Sequence, residues 1–296
     1  MSDLKRIKLS TGVELDVWDT GPRDAPAIIF LHGFPENHRT WRHQVEHLSD
    51  RFRCIAPDQR GYGNSSHPQD VSEYETGKLV ADIFALSEAL ETGPFTIVGH
   101  DWGGAIAWLI AMFGQADGRV TCAVIANAPH PGVFQKLLFT DPDQRAASQY
   151  MRAFRDPAND PLVREHGLPG LLREALDWDD RPEYDPAEIG LLIPHWVNPD
   201  NAFAMLNWYR ASAIVVPAPD DPLGLPDDFA PMPLPPLAIP TLVVWGMKDQ
   251  ALLPGNIEGL DAVVTDLTLV EVPEAGHFVP WEAPDAVNAA MDAFLG

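Results

Sequence analysis

Residues Thr96–Gly104 read TIVGHDWGG. An apolar run leads into a tight turn flanked by glycines, and a helical pattern follows. A strand–turn–helix of this kind lifts the residue at its tip away from its own backbone, and serine is the usual nucleophile held there. In this chain the tip is Asp101. The motif requires a covered strand and a helix that packs back over it, so it asks for a parallel sheet with helices on its faces.

The surrounding sequence fits that demand. Lys5–Trp18 reads as a hairpin with Thr11 and Gly12 near its turn. Ala27–Leu31 (AIIFL), Phe52–Ala56 and Val120–Ala126 are short apolar runs of the kind a strand covered on both faces shows. Thr76–Leu90 carries apolar residues at helical spacing, Phe95–Val98 reads as the strand before the turn His100–Gly103, and a helix is expected from about Ala105 to Phe113. Near Pro129 the pattern changes. Residues 130–214 are helical by pattern and rich in Trp, Arg and Pro, and Val215–Pro240 has too many prolines for a helix or a central strand, so it reads as an extended return linker. Thr241–Trp245 and Leu267–Val272 resume the sheet, and a helix over Ala283–Leu295 ends it. The expected fold is α/β, a mostly parallel twisted sheet with helices on both faces. Its core comprises residues 1–129 and 233–296, interrupted by a helical cap with its linker over 130–232.

A carboxylate at the tip of the turn narrows the chemistry. It is ionised at neutral pH and attacks without a base. Against an ester or amide it would form a high-energy anhydride. Against an sp³ carbon bearing an oxygen or halide leaving group it forms an alkyl ester. Water must then attack the carbonyl of Asp101, and that second step needs a base and an oxyanion hole. EAGHFVPWEAP (Glu274–Pro284) supplies His277 on a loop after a late strand, and WGMKDQ (Trp245–Gln250) supplies Asp249 at the end of the strand before it. The order nucleophile, acid, histidine is that of an α/β-hydrolase. Asp249 would orient His277 and stabilise its imidazolium. LHGFPEN (Leu31–Asn37) follows a strand directly, so the N–H groups of Phe34 and of Trp102 are candidates for the hole, and Gly33-Phe34-Pro35 suggests a constrained turn with a cis bond before Pro35. Alone, Asp101 also fits a helix cap, His277 a structural histidine and Asp249 a loop cap. Their order, each after a strand, favours the catalytic reading. Asn127 sits where some enzymes of this fold carry the acid, but an amide cannot fill that role. His100 is assigned a structural role and His38 none.

These motifs, HGFP, DQRGYGNSS, GHDWGG, GMKD and GHF, stand in one order along essentially the whole chain. Together they resemble the epoxide hydrolases and haloalkane dehalogenases, the aspartate-nucleophile branch of the α/β-hydrolases. Two cap segments turn the resemblance toward epoxide hydrolases: NWYR (Asn207–Arg210), and SQYMRAFRDP (Ser148–Pro157), in which a tyrosine precedes an acid–proline pair. The resemblance implies that Tyr150 and Tyr209 hold the epoxide oxygen as it leaves. Tyrosine is a neutral donor at neutral pH, and an alkoxide leaving group needs such donors. The expected activity is hydrolysis of an ether bond, an apolar epoxide and water giving a vicinal diol. The alternative is a haloalkane or haloacid dehalogenase using the same Asp101. That branch commonly has Asn where Phe34 stands, and its fluoroacetate-type members have Arg where Trp102 stands. A halide would therefore rely on Trp102 and on cap tryptophans 178, 196 and 208. Phe139, Phe154, Trp178, Trp196, Phe203 and Trp208 are available to line an apolar pocket.

Composition bounds the partners. Of 296 residues, 43 are acidic and 20 are Lys or Arg, a net charge of −23 that repels nucleic acid and anionic membrane. No run approaches the roughly 20 apolar residues of a membrane span, and Met1–Leu15 lacks a signal-peptide pattern, so the expectation is a soluble cytoplasmic monomer or homodimer. Cys54 and Cys122 are isolated in apolar runs and read as buried thiols. No cluster with metal-ligand spacing and no phosphate-binding glycine loop appears, so the reading calls for no cofactor and no metal.

Overall fold

AIIFL forms β3 (Ala27–Leu31), buried throughout. Its side chains alternate between two apolar layers: Ile29 and Leu31 enter one, Ile28 and Phe30 the other. A strand covered on both faces has no polar side to keep, which is why its sequence is continuously apolar. The computed structural model describes residues 4–176, 185–230 and 233–296. Among these, β1 (Lys5–Lys8) and β2 (Glu14–Thr20) form the hairpin, followed by β3, α1 (Arg42–Leu48), β4 (Arg53–Pro57), α2 (Thr76–Ala89), β5 (Phe95–His100), α3 (Asp101–Gly114) and β6 (Val120–Ala126). The sheet resumes after residue 240 with β7 (Thr241–Gly246) and β8 (Leu267–Val272), and the short α10 (Val279–Glu282) and α11 (Pro284–Leu295) follow.

The eight strands lie in the order β1-β2-β4-β3-β5-β6-β7-β8. β2 is antiparallel to both β1 and β4, and every pairing from β4 to β8 is parallel. The chain steps outward from β3 to β4 and then returns to place β5 on the other side of β3. The carboxyl ends of β3 and β5 therefore flank the switch point, the place where an open α/β sheet leaves a crevice. Leu79, Ile83 and Leu86 of α2 and Ile106 and Ile110 of α3 fill one layer. Val45 and Leu48 of α1 and Val287 and Met291 of α11 fill the other.

Between β6 and β7 the regular elements among the described residues are helices, α4 (Pro131–Thr140), α5 (Pro142–Ala147), α6 (Tyr150–Arg155), α7 (Asp160–Leu176), α8 (Pro186–Trp196) and α9 (Pro199–Arg210), with a 3-10 turn at Pro157–Asn159. The caps follow the sequence. Asp141, Asp185 and Asn198 each accept from the first-turn N–H of the helix they precede, and each is followed by proline at the first helical position. α7 is kinked at Gly167, φ 66°, two residues before Pro169. The described residues between 215 and 240 carry no helix and only an isolated bridge, Leu237 to Val264.

Two boundaries differ from the sequence reading. β5 continues to His100, and α3 begins at Asp101 itself rather than near Ala105. Gly103 and Gly104 weaken local helix propensity, but tertiary packing requires them. A Cβ on Gly103 would collide with the carbonyl oxygens of Leu31 and His32 at the end of β3, so the first turn of α3 presses directly on that strand. Among the described residues, no helix is long and apolar enough to cross a membrane.

Candidate active site

Asp101 has φ 51°, one of three non-glycine residues in the left-handed region among the described residues. An aspartate held there is strained backbone at a turn, and the packing on both sides enforces it. Gly33 faces it so closely that a Cβ would meet the Asp101 side chain. The approach brings the Phe34 N–H to 2.7 Å from Asp101 Oδ1. The second carboxylate oxygen, Oδ2, lies 3.5 Å from His277 Nε2. The two oxygens are thus already distinct: one rests on a backbone donor and the other faces the histidine.

His277 sits on the loop after β8. Its Nδ1 donates to Asp249 Oδ2 at 2.8 Å. Asp249 lies just past β7, fully buried. Its Oδ1 accepts from the N–H groups of Ala251 and Leu252 at 2.9 Å each, and Oδ2 also accepts from Asn127 Nδ2 at 2.8 Å. Burial works against charge on His277, but Asp249 and Asp101 outweigh it and hold its pKa well above the ordinary histidine value. For Asp101, burial pushes up, while the hydrogen bond and charge of His277, then His100 and the Phe34 N–H, bring its pKa below the ordinary aspartate value. In the free protein these groups therefore rest as an ion pair, with the imidazolium between two carboxylates.

Tyr150 at the start of α6 and Tyr209 at the end of α9 cross over the same aspartate. Their ring centroids are 6.1 Å apart at 80°. Phe34 meets Tyr209 edge-on at 5.0 Å, and Trp102 meets it edge-on at 5.1 Å. Burial first, then nearby charge including Asp101, raises both phenols well above the ordinary tyrosine value, so both stay protonated as donors.

Asp101, Tyr150 and Tyr209 are common to two cavities. One, of about 270 Å³, also contains His277, Asp249, Phe278 and Leu176, and reaches Lys248, Gln250 and Glu274 at its mouth. The other, of about 50 Å³, is apolar, walled by Trp102, Pro131, Phe134, Met151, Ile214 and Leu252. A neutral substrate with an apolar arm fits this division.

The family model described as the alpha/beta hydrolase fold matches residues 26–284. This chain belongs to the α/β-hydrolase family. It is 31% identical over 289 residues to AB hydrolase superfamily protein YfhM of Bacillus subtilis, covering 97% of this chain and 96% of that one. It is 30% identical to epoxide hydrolase 3 of Mus musculus, over 97% of this chain and 75% of that protein. Among solved structures it resembles one described as novel epoxide hydrolases from metagenomes of hot environments, at 60% identity and TM-score 0.97, covering 100% of this chain and 99% of that one. A second, an epoxide hydrolase of Bacillus megaterium in complex with an inhibitor, is 30% identical with TM-score 0.84, over 98% and 99% of the two chains. Within the family this α/β-hydrolase is epoxide hydrolase-like.

The structure brings Asp101, His277, Asp249, Tyr150, Tyr209, Phe34 and Trp102 to one place. It does not do so for the aromatic residues that were only available to line a pocket and that pack elsewhere. Phe154 packs behind Phe34 and Tyr209, Phe203 lies under Arg164 and Arg210, and Phe139 meets Phe229. Trp196 donates its indole N–H to the Pro35 carbonyl at 2.7 Å and Trp208 to the Arg60 carbonyl at 2.9 Å, so neither is available to a halide. Trp178 lies outside the described residues. Composition finds large aromatic residues but not the direction in which they point.

Other residues escaped the sequence reading. Asn127, fully buried at φ 36°, holds Asp249 and accepts from the Gly246 N–H at 2.7 Å. Its position after β6 was the signal, read only as a place where an acid was missing. Glu282 accepts from the N–H groups of Gly276 and Phe278 and so braces the His277 loop on both sides. His100, expected to be structural, donates Nε2–H to the His277 carbonyl at 2.8 Å, and burial lowers its pKa to about 4. His38, left without a role, binds Asp58 through Nδ1 at 2.7 Å, and Phe34-Pro35 is cis.

Proposed function

We propose that this protein hydrolyses an epoxide to a vicinal diol through an ester on Asp101. The observation that carries the reading is Asp101 itself: one oxygen rests on the Phe34 N–H, the other faces His277, and Tyr150 and Tyr209, both protonated, line the same cavity as Asp101. Asp101 Oδ2 attacks the less hindered ring carbon. The carbon–oxygen bond breaks, and the freed oxygen is held by the O–H groups of Tyr150 and Tyr209, one of which supplies its proton. The alkyl ester carries no charge, so His277 loses one of the two carboxylates that favour its protonation. Its pKa falls, its proton passes to the phenolate that the first step left, and as neutral imidazole it becomes the base the second step requires. His277, oriented by Asp249, takes a proton from water, and the water oxygen attacks the Asp101 carbonyl carbon. The oxyanion forms on Oδ1, where the N–H groups of Phe34 and Trp102 stabilise it. Collapse breaks the ester bond, the leaving oxygen takes the remaining proton of the attacking water to complete the diol, the carboxylate is restored, and the proton His277 took from water restores its imidazolium.

In this reading residues 130–232 act as a cap over a core of residues 1–129 and 233–296, contributing both tyrosines. The protein works as a soluble cytoplasmic monomer or homodimer, without cofactor, metal or nucleic acid. The indole commitments of Trp196 and Trp208 weigh against halide chemistry.

The test uses His277→Gln, incubated with a small aryl epoxide together with a haloalkane. An adduct of the full epoxide mass, mapped to Asp101, supports the reading. An alkyl adduct lacking the halogen replaces it with dehalogenation, and no adduct from either overturns it.

A further inference from the structure

α6 and α9 end against each other in a reciprocal way. Arg155, the last residue of α6, donates Nε–H to the Tyr209 carbonyl at 2.8 Å and Nη1–H to the Ile214 carbonyl at 2.7 Å. Arg210, the last residue of α9, donates Nε–H to the Phe154 carbonyl at 3.3 Å. Each helix thus lends an arginine to the carbonyl end of the other, where free C=O groups and the helix dipole favour a cation. Tyr150 opens the first of these helices, and Tyr209 is the penultimate residue of the second.

The two arginines differ in how their charge is met. Arg210 forms an ion pair with Asp160 at 2.6 Å. Among the described residues no carboxylate pairs with Arg155. Its Nη2 is buried without a hydrogen-bond partner, and burial first, then Arg152, opposes its charge. Keeping a guanidinium partly out of water with no carboxylate partner is costly. It becomes useful where negative charge develops nearby during a reaction, because a fixed charge needs no reorganisation at that moment.

We propose that Arg155 is a positioning residue for epoxide opening, fixing Tyr209 against Tyr150 and holding a positive charge that no described carboxylate pairs where α6 and α9, the helices that carry the two phenols, meet. This rests on the epoxide hydrolase reading above. Arg155 touches neither substrate nor Asp101. It acts through the tyrosines, so it serves the first step and not the second, which belongs to His277, Asp249 and the backbone donors. Lysine keeps the charge but not the planar fork that reaches two carbonyls at once.

The experiment separates the two steps by rapid quench and intact-protein mass, using a small aryl epoxide with wild type, Arg155→Met, Arg155→Lys and Arg210→Met. The expected result for Arg155→Met is ester formation slowed at least about tenfold, less than the loss of a direct oxyanion donor would cause, with ester hydrolysis within about twofold of wild type. Arg155→Lys recovers part of the rate, and Arg210→Met slows ester formation less than Arg155→Met. Circular dichroism checks folding, and where Arg155→Met does not fold, Arg155→Lys decides by the same split between steps. Unchanged ester formation in the Arg155 variants, equal slowing of both steps, or an equal effect from Arg210→Met overturns the proposal. A wild-type protein that forms no ester with the epoxide fails before any variant is compared, and the functional reading falls with it.

Discussion

Asp249 and Tyr209 face the same cavity but are held by different means. Asp249 stands just past the end of β7, and its carboxylate accepts from two backbone N–H groups, an asparagine and His277. Tyr209 stands on a helix outside the sheet, placed chiefly by the rings of Phe34, Trp102, Phe154 and Tyr150 at centroid distances from 5.0 to 6.1 Å. Directional hydrogen bonds hold the charged half, where a misplaced charge is costly. Apolar packing holds the neutral half, which tolerates small shifts and different substrate shapes. The geometry for proton transfer is built into the rigid sheet, and the cavity's walls come from helices that can vary without disturbing it.

This contrast can be broken at both ends. The largest effect is expected at Asp101. Asp101→Ala removes the nucleophile, so no adduct forms and kcat falls by about 10⁴-fold or more, measured as diol release. Next come the phenols. Tyr209→Phe and Tyr150→Phe each keep the ring and lose one donor, slowing ester formation by about 10²-fold while ester hydrolysis is spared. Equal loss in both steps would mean that packing, not donation, is their contribution. On the hydrogen-bonded side, Asn127→Ala is expected to slow ester hydrolysis about tenfold and to lower stability by ~1–3 kcal/mol, because a buried acceptor loses its donor. Single-turnover kinetics and urea unfolding read the two effects.

The pH dependence sharpens the comparison further. His277 owes its raised pKa partly to the charge of Asp101, so forming the ester lowers it. The base limb of ester hydrolysis should lie at lower pH than the His277 titration seen by NMR in the free protein. Coincident values would show that Asp101 does not control that charge. The smallest expected effect is structural. Glu36 is buried, accepts from Thr40 Oγ1 at 2.8 Å and Trp281 Nε1 at 2.9 Å, and burial raises its pKa from 4.5 to about 7. A carboxyl whose folded pKa is raised stabilises the fold below 4.5, and that contribution is lost as pH rises toward and through about 7. Wild type should therefore lose about 2 kcal/mol more than Glu36→Gln between pH 5 and pH 8, measured by urea unfolding at each pH.

Legibility in the sequence follows the same division. AIIFL, VTCAVIA and LTLVEV mark β3, β6 and β8 to the residue, because local apolar pattern alone specifies them. The elbow, Asp249 and His277 are legible because each ends a strand and a parallel sheet gathers such ends along one edge. The start of α3 was not, because Gly103 and Gly104 look like breakers until the contact with β3 is seen. Nor was the aromatic lining, since whether Trp196 and Trp208 turn toward the cavity or toward the Pro35 and Arg60 carbonyls depends on helix rotation. The role of Asn127 was hidden for a similar reason: only the pairing of β6 with β7 sets its amide beside Asp249.

By itself, then, the sequence determined the α/β sheet, the elbow at Asp101 and the order nucleophile, acid, histidine, because these depend on short-range pattern and chain order. The tertiary structure alone decided which oxygen of Asp101 meets a backbone donor, which carboxylates charge His277, and which aromatic residues face the cavity. Those are matters of a few ångströms between segments far apart in sequence, and they are set by packing rather than by composition.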